Sequence, residues 1–433
     1  MTVRREDSRP RIGLHAIALL SRSRAGRSKA RPALAVLAAC ALASIVALPA
    51  QGARSEGIAA GSTARLARTR PAQRAAIGVL RLGDSYHLAG GYNRYDYLIV
   101  GYGDLRAASV RSATSLIYKG AADVTESPSS DPGRGVSGVS RKEAAANGWL
   151  LKDAAGNPLQ IGSNDWLGDV GSAAFQMRWA TNVSRYLHAH HIRGVFIDNV
   201  ACSVLGLTHG GIPAKYPTDA AWANAQASFI ASVGRDLRKQ GLYVAVNAYC
   251  GGPDNGSGND AWWARLAPNV SGLMVEDFEQ NPNDESQLYF DAPAASWMGN
   301  WRGKLNVIRV AQRLGRDALA LTWGDRGDTA KMTYARASFL LVWNGKGGAF
   351  FYNTRDGSDP WNPMWTTSIG VPRGGLRQVG PAYVRSYSAG YVVVNPSQSP
   401  ASVQIPGGLK TLSGGPASSP VALAPVSAAI FRR

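Results

Sequence analysis

From residue 76 onward the chain alternates short apolar runs with amphipathic stretches. Eight runs stand out: AIGVLRLG (76–83), YDYLIVG (95–101), TSLIYKG (114–120), GVFIDN (194–199), LYVAVNAY (242–249), GLMVEDF (272–278), ALALTWGD (318–325) and GAFFYN (348–353). They are nearly continuous in apolar residues and run into Gly, Asn, Asp or Glu. That pattern predicts strands buried on both faces, as in a parallel sheet covered by helices. Residues 172–192 set Phe175, Trp179, Val183, Tyr186 and Leu187 on one helical stripe. Residues 222–239 do the same and stop before Gly241, a residue suited to a helix C-terminus. Residues 305–314 and 331–343 are further predicted helices. Eight strands alternating with helices over about 300 residues predict a (β/α)8 TIM barrel, an α/β fold. The first helix is short or absent, because about a dozen residues separate the first two runs. Residues 121–171 form an insertion after the third strand, in which GWLLKDAAGNPLQI predicts a hairpin around an Ala-Gly-Asn turn.

After about residue 376 short strands alternate with Gly, Pro and Ser. A small antiparallel, β-sandwich-like domain is expected there, packed on the barrel because alone it would bury little. The expected division is therefore a barrel over 76–375 and a β domain over 376–433. Residues 51–75 read as a disordered linker rich in Ala and Arg. Residues 1–50 read as a signal peptide or membrane anchor. Their basic start is followed by 22 uncharged residues, 32–53, with small residues near Ala50. Leu37-Ala38-Ala39-Cys40 also resembles a lipoprotein cleavage box, although the residues after Cys40 stay apolar. A secreted or otherwise extracytoplasmic chain is expected, touching membrane only through this leader.

The leader changes the meaning of the charge. The formal net charge is +18, but residues 1–76 hold 14 Lys and Arg against 3 Asp and Glu, leaving only +7 on the other 357 residues. No nucleic-acid-binding motif accompanies the excess, so no nucleic-acid partner is expected. With 45% hydrophobic residues the chain can build a large core, which excludes wholesale disorder. Of three cysteines, Cys40 lies in the leader and Cys202 and Cys250 remain. Both fall just past the ends of neighbouring predicted strands, about 4.8 Å apart. A Cys202–Cys250 disulfide is expected, as suits an exported chain. His188, His190 and His191 lie at a helix end without metal-ligand spacing, and neither a metal nor a cofactor is expected.

A barrel of this kind carries its active site at the C-terminal ends of its strands. The third run ends at Lys119, the fourth at Asp198-Asn199, the fifth at Asn247-Ala248-Tyr249, the sixth at Glu276-Asp277 and the seventh at Trp323-Gly324-Asp325. Two carboxylates across one mouth suit glycosidic bond cleavage, one donating a proton and the other attacking or activating water. Asp198 and Glu276 are the expected pair. Asp277 is the rival for the second role, because strand parity alone leaves open which of the two points inward. Asn199, Asn247, Tyr249, Trp323 and Lys119 are candidates for binding sugar hydroxyls, with Asp169 and Asp325 weaker ones. Trp166, Trp262, Trp263, Trp297, Trp301, Trp361 and Trp365 fall in predicted loops and could stack on sugar rings, with about half expected in the core.

At these residues the chain resembles the bacterial TIM-barrel glycoside-hydrolase-like families, in particular the hypothetical glycoside hydrolase family fifteen. The resemblance spans about residues 76–430 and rests on GWLLKDAAGNPL, DVGSAAFQMRWATNV, RGVFIDNV, YVAVNAY and LMVEDF. RGVFIDNV is also similar to the fourth-strand motif of endo-α-galactosaminidase and α-galactosidase barrels, with Arg193 where that motif often has Asp. The resemblance implies Asp198 as nucleophile and Glu276 as acid/base of a retaining enzyme. The expectation is a monomeric glycoside hydrolase acting on a polysaccharide or oligosaccharide. The alternatives are a non-catalytic glycan-binding barrel and another enzyme on the same scaffold, such as a transglycosylase.

Overall fold

The computed structural model describes residues 75–433, apart from 82–90, 102–109, 111–112, 127–130, 206, 209, 251–258, 282–283, 293–300 and 355. The leader, the linker up to residue 74 and Trp297 lie outside the described residues. The strands in chain order are β1 (Ala76–Arg81), β2 (Tyr97–Val100) and β3 (Thr114–Gly120), then β4 (Asp123–Thr125), β5 (Gln160–Gly162) and β6 (Asp165–Leu167) of the insertion. They continue with β7 (Gly194–Ala201), β8 (Tyr243–Tyr249), β9 (Gly272–Val275), the short pair β10 (Gln280–Asn281) and β11 (Asp284–Leu288), β12 (Asp317–Gly324) and β13 (Ala349–Thr354). The helices are α1 (Arg141–Ala146), α2 (Ala173–Ala189), α3 (Asp219–Lys239), α4 (Asn259–Leu266), α5 (Trp301–Arg313) and α6 (Thr329–Val342).

Strands β1, β2, β3, β7, β8, β9, β12 and β13 close into a barrel in chain order, β13 pairing back onto β1, all parallel. These are the eight apolar runs. Their residues are buried on both faces, as with Leu98, Ile99 and Val100 of β2. Inside, Leu116, Phe196, Met274, Leu319, Leu321 and Phe351 fill the barrel in layers. At the end where the strands begin, the Tyr97 and Tyr243 hydroxyls donate to Asp317 at 3.0 and 2.8 Å, so the buried carboxylate there is satisfied.

The helices cover the outside by the predicted stripes. Ser172 caps α2 by accepting from the Phe175 N–H, and Phe175, Trp179, Val183, Tyr186 and Leu187 are buried. Thr218 caps α3 by accepting from the Ala221 N–H, four residues before the stripe begins at Trp222. The predicted hairpin forms around residues 152–158 and packs beside the three-stranded antiparallel sheet β4-β6-β5. Beyond the barrel come β14 (Pro372–Val379), β15 (Ala382–Tyr387), β16 (Gly390–Asn395), β17 (Ala401–Val403), β18 (Lys410–Thr411), β19 (Val421–Leu423) and β20 (Ser427–Arg432). They make a five-stranded sheet, β14-β15-β16-β20-β18, and a pair, β17-β19, around a separate core including Val384, Val393 and Phe431. This domain is seated on α6. The Arg385 guanidinium donates to the carbonyls of Leu340, Leu341 and Trp343, and the Tyr387 hydroxyl to that of Leu340, satisfying groups the helix end leaves open. Among the described residues, no helix is long and apolar enough to cross a membrane.

Cys202 and Cys250 form a disulfide with Cα atoms 4.9 Å apart, joining the segments that follow adjacent strands β7 and β8. Peptide mapping without reductant is expected to recover the two cysteines in one linked fragment. Replacing both by Ser should lower unfolding free energy, read by urea titration, by about 2–4 kcal/mol.

Candidate active site

Alternation along the barrel strands decides what reaches the mouth. Phe196 points into the barrel, so Asp198 two residues on does too; the same holds for Met274 and Glu276, Ala245 and Asn247, Leu116 and Tyr118, and Leu321 and Trp323. Together with Leu80, the inward residues line one concavity at the barrel mouth: Tyr118, Phe196, Asp198, Asn247, Met274, Glu276, Leu321 and Trp323. Its floor is apolar and its rim carries the two carboxyl groups.

Both carboxyls are held by the same side chain. The Asn247 amide nitrogen donates to Asp198 Oδ1 at 3.0 Å and to Glu276 Oε2 at 2.8 Å. These two lengths confine the two oxygens to about 5.8 Å apart at most, and the angle between the hydrogens of an amide puts them nearer about 5 Å. Asp198 receives two further donors: the Tyr118 hydroxyl at 2.5 Å and the Asn199 backbone N–H at 2.8 Å. Glu276 receives the Trp323 indole N–H at 3.2 Å.

The electrostatics separate the two acids. Burial raises the Asp198 carboxyl above the usual range, but the donations from Tyr118, Asn199 and Asn247 pull it back. Burial raises Glu276 more, and the neighbouring Asp277 and Asp198 charges add to it, so it is pushed up to about 8 despite Asn247 and Trp323. Asp198 therefore ionises first and Glu276 keeps the proton. The Tyr249 hydroxyl is raised by burial and by the charges of Asp198, Asp123 and Glu276. Lys304, buried under the strand end, donates to the Glu276 carbonyl at 3.2 Å and fixes the backbone from which that side chain projects.

A family profile described as hypothetical glycosyl hydrolase family 15 matches residues 115–391. The chain belongs to that family. Membership makes it a glycoside hydrolase acting on glycans. The hydrolase is similar in structure to pullulanase from Anoxybacillus sp. complexed with maltotriose, at TM-score 0.50 and 9% identity over 85% of this chain and 70% of that one. A maltogenic α-amylase from Thermotoga neapolitana aligns at TM-score 0.45 and 10% identity, over 83% of this chain and 96% of that one. An α-amylase from Geobacillus thermoleovorans complexed with acarbose aligns at TM-score 0.43 and 10% identity, over 84% and 99%. At such identity the likeness to the pullulanase concerns the fold alone. No curated protein sequence matches the chain.

The hydrolase brings Asp198, Asn247, Glu276 and Trp323 of the sequence candidates to the cavity, and Tyr249 close to its carboxyls. Others lie elsewhere. Lys119 is one residue out of phase with Tyr118, so it points to the outside of the barrel wall. Its ammonium donates to the carbonyls of Gly133 and Gly135 beside the Tyr186 ring, and burial pushes it down to about 7. Asp169 is buried under Lys215 and Tyr216, each at 2.5 Å, where it ties the insertion to the segment after β7. Asp325 is exposed beyond β12, and its carbonyl accepts from Tyr352. Asp277 accepts from the Gln280 amide at 3.0 Å and acts on Glu276 only through its charge. Asn199 contributes its backbone N–H to Asp198 but turns its side chain to Asp123.

The tryptophans also differ from expectation. Trp262 and Trp263 sit on α4, a helix the pattern did not show, and their indoles bond the carbonyls of Val200 and Ala248. Trp301 and Trp365 are fully buried, Trp361 lies under Arg94, and Trp166 is stacked 3.7 Å from the Arg141 guanidinium. None of these lines the cavity; Trp323 does. Sequence reading missed Tyr118, which stands one residue before the Lys119 it named, and Asp123; neither carried a local signal.

The folded state holds the Glu276 proton to higher pH than the unfolded chain does, where a glutamate titrates near about 4.3. The stability this contributes is complete below that range and is lost as pH rises towards 8. Glu276→Gln, which never ionises, should therefore gain on the wild type as pH rises from about 5 to 8.5, by roughly several degrees of Tm over that span. Parallel melting curves for the two proteins across that range would remove Glu276 as a buried proton holder.

Proposed function

We propose that the protein is an exported glycoside hydrolase that cleaves polysaccharide by a retaining, two-carboxylate mechanism. The observation that carries this reading is the Asn247 bridge, which sets the Asp198 and Glu276 oxygens about 5 Å apart at an open cavity. Retaining glycosidases use separations of roughly 5–5.5 Å, whereas inverting ones need room for a water between the acids. Asp198, ionised and held by three donors, attacks the anomeric carbon. Glu276, still protonated, gives its proton to the leaving oxygen. In the second half Glu276, now a carboxylate, takes a proton from water as that water displaces Asp198 from the sugar. Asn247 keeps both groups in register, and the Trp323 indole aims Glu276 while its ring walls the cavity. Export rests on the disulfide and the leader composition. Asn247 and Tyr249 are the side chains placed to meet sugar hydroxyls, and the reaction needs no cofactor.

The test is a screen of purified protein against bacterial exopolysaccharides and 4-nitrophenyl glycosides, with variants as controls. Asp198→Asn and Glu276→Gln should each lower turnover on the order of 10⁴-fold or more while the fold survives. The basic limb of kcat/KM against pH should fall near 8 in the wild type, since the acid must be protonated. With Asp198→Gly, azide should restore turnover and give a glycosyl azide of inverted configuration. Glycan binding without turnover would favour a non-catalytic barrel, and full activity in either carboxyl variant would remove that residue from the mechanism.

A further inference from the structure

Strand β7 does not pair evenly with β8. Its register shifts between Ile197 and Val200, so Asp198 and Asn199 form a bulge. Asn199 there has φ +60°, a left-handed conformation that an L-residue holds only when its surroundings keep it in place. Three contacts do so. Its backbone N–H donates to Asp198 Oδ1 at 2.8 Å, its carbonyl accepts from Gln226 of α3 at 3.4 Å, and its side-chain amide donates to Asp123 Oδ1 at 3.0 Å.

Asp123 comes from the insertion, not from the barrel. It is 4% exposed and packs against the end of β3, where Gly120 stands opposite Asp198 in the register. A Cβ at Gly120 would lie 2.1 Å from the Asp123 carboxyl, so the absence of a side chain there makes room for it. On its other side stands Asp165 of β6, a strand paired with β4. Two buried carboxyls in contact cannot both ionise, so one proton is held between them. In keeping with this, burial and then Asp165 raise Asp123 well above the usual range, and burial brings Asp165 to about 6.

We propose that Asp123 is a positioning residue: it fastens the Asn199 amide, holds the β7 bulge in its left-handed turn, and so keeps the Asn199 backbone N–H on the Asp198 carboxylate. The inference rests on Asp198 being the nucleophile for its catalytic meaning, but the contact chain stands without it. Among the described residues, the titratable and polar groups facing Asp198 are Tyr118 from β3, Asn247 and Tyr249 from β8, Glu276 after β9, and Asp123 from the insertion, with Asp165 behind Asp123.

The test reads the Asp198 carboxyl directly in the full chain, by ¹³C NMR titration of protein labelled at aspartate, with Asp198→Asn to assign the signal. In Asp123→Ala the carboxyl that is lost is the one burial and Asp165 keep protonated, so no negative charge goes with it and the tether to Asn199 is what disappears. The Asp198 midpoint should then rise by roughly one unit, because a donor to its ionised form is gone. Asp123→Asn should leave it within about a few tenths of a unit, since its amide oxygen still accepts from Asn199 and its amide hydrogens replace the shared proton towards Asp165. Where Asp123→Ala fails to fold, Asn199→Ala cuts the same tether from the other end and should raise the midpoint likewise. An unchanged or lowered midpoint in a folded tether variant, or an Asp123→Asn variant that behaves like Asp123→Ala, would overturn the proposal. None of these readouts needs turnover, so their failure is distinct from the failure of the hydrolase reading, which the Asp198→Asn activity assay decides.

Discussion

One carboxamide, that of Asn247, sets the distance between the two acids at the barrel mouth. Its two hydrogens diverge at a fixed angle, so two acids bonded to them stand at a fixed separation. Everything else around the mouth either places that amide or biases the two acids. Asn247 stands on β8, between β7, which carries Asp198, and β9, which Glu276 follows. Closure of the sheet is what puts the three strand ends on one rim. The apolar layers below, with Phe196, Met274 and Leu321, keep water away from the carboxyls and make their ionisation costly.

That cost falls unequally. Asp198 has three donors and Glu276 has two, and Glu276 also faces two negative neighbours. Two carboxyls of the same strand-end type are thereby biased towards opposite protonation states, and among the described residues no cationic side chain bonds either carboxyl. The difference between the two acids follows from counting hydrogen-bond donors and charges, and not from the residue types.

The insertion between β3 and β7 is part of this arrangement. Lys119 anchors its first turn from the outer face of the barrel, Asp169 ties its far end to the segment after β7, and Asp123 reaches back to the bulge beside Asp198. The disulfide fastens the same region from the other side, linking the segments after β7 and β8. The C-terminal sheet acts further away, satisfying the end of α6 through Arg385 and Tyr387.

The sequence by itself determined the eight strands, four of the helices, the terminal β sheet and the cysteine pair. Burial on both faces forces continuous apolar runs, and amphipathic helices force a 3.6-residue stripe, so both patterns are written locally. It also singled out Asp198 and Glu276 as strand-closing acids. What it left undecided was direction. A run apolar on both faces has no alternation to show which residues point inward, so Lys119 stood where Tyr118 belongs and Asp277 rivalled Glu276. The bulge at Asn199, the partner of Asp169 and the burial of Trp262 and Trp263 on α4 each depend on segments distant in the chain. Only closure of the barrel, with its register fixed against neighbouring strands, decided them.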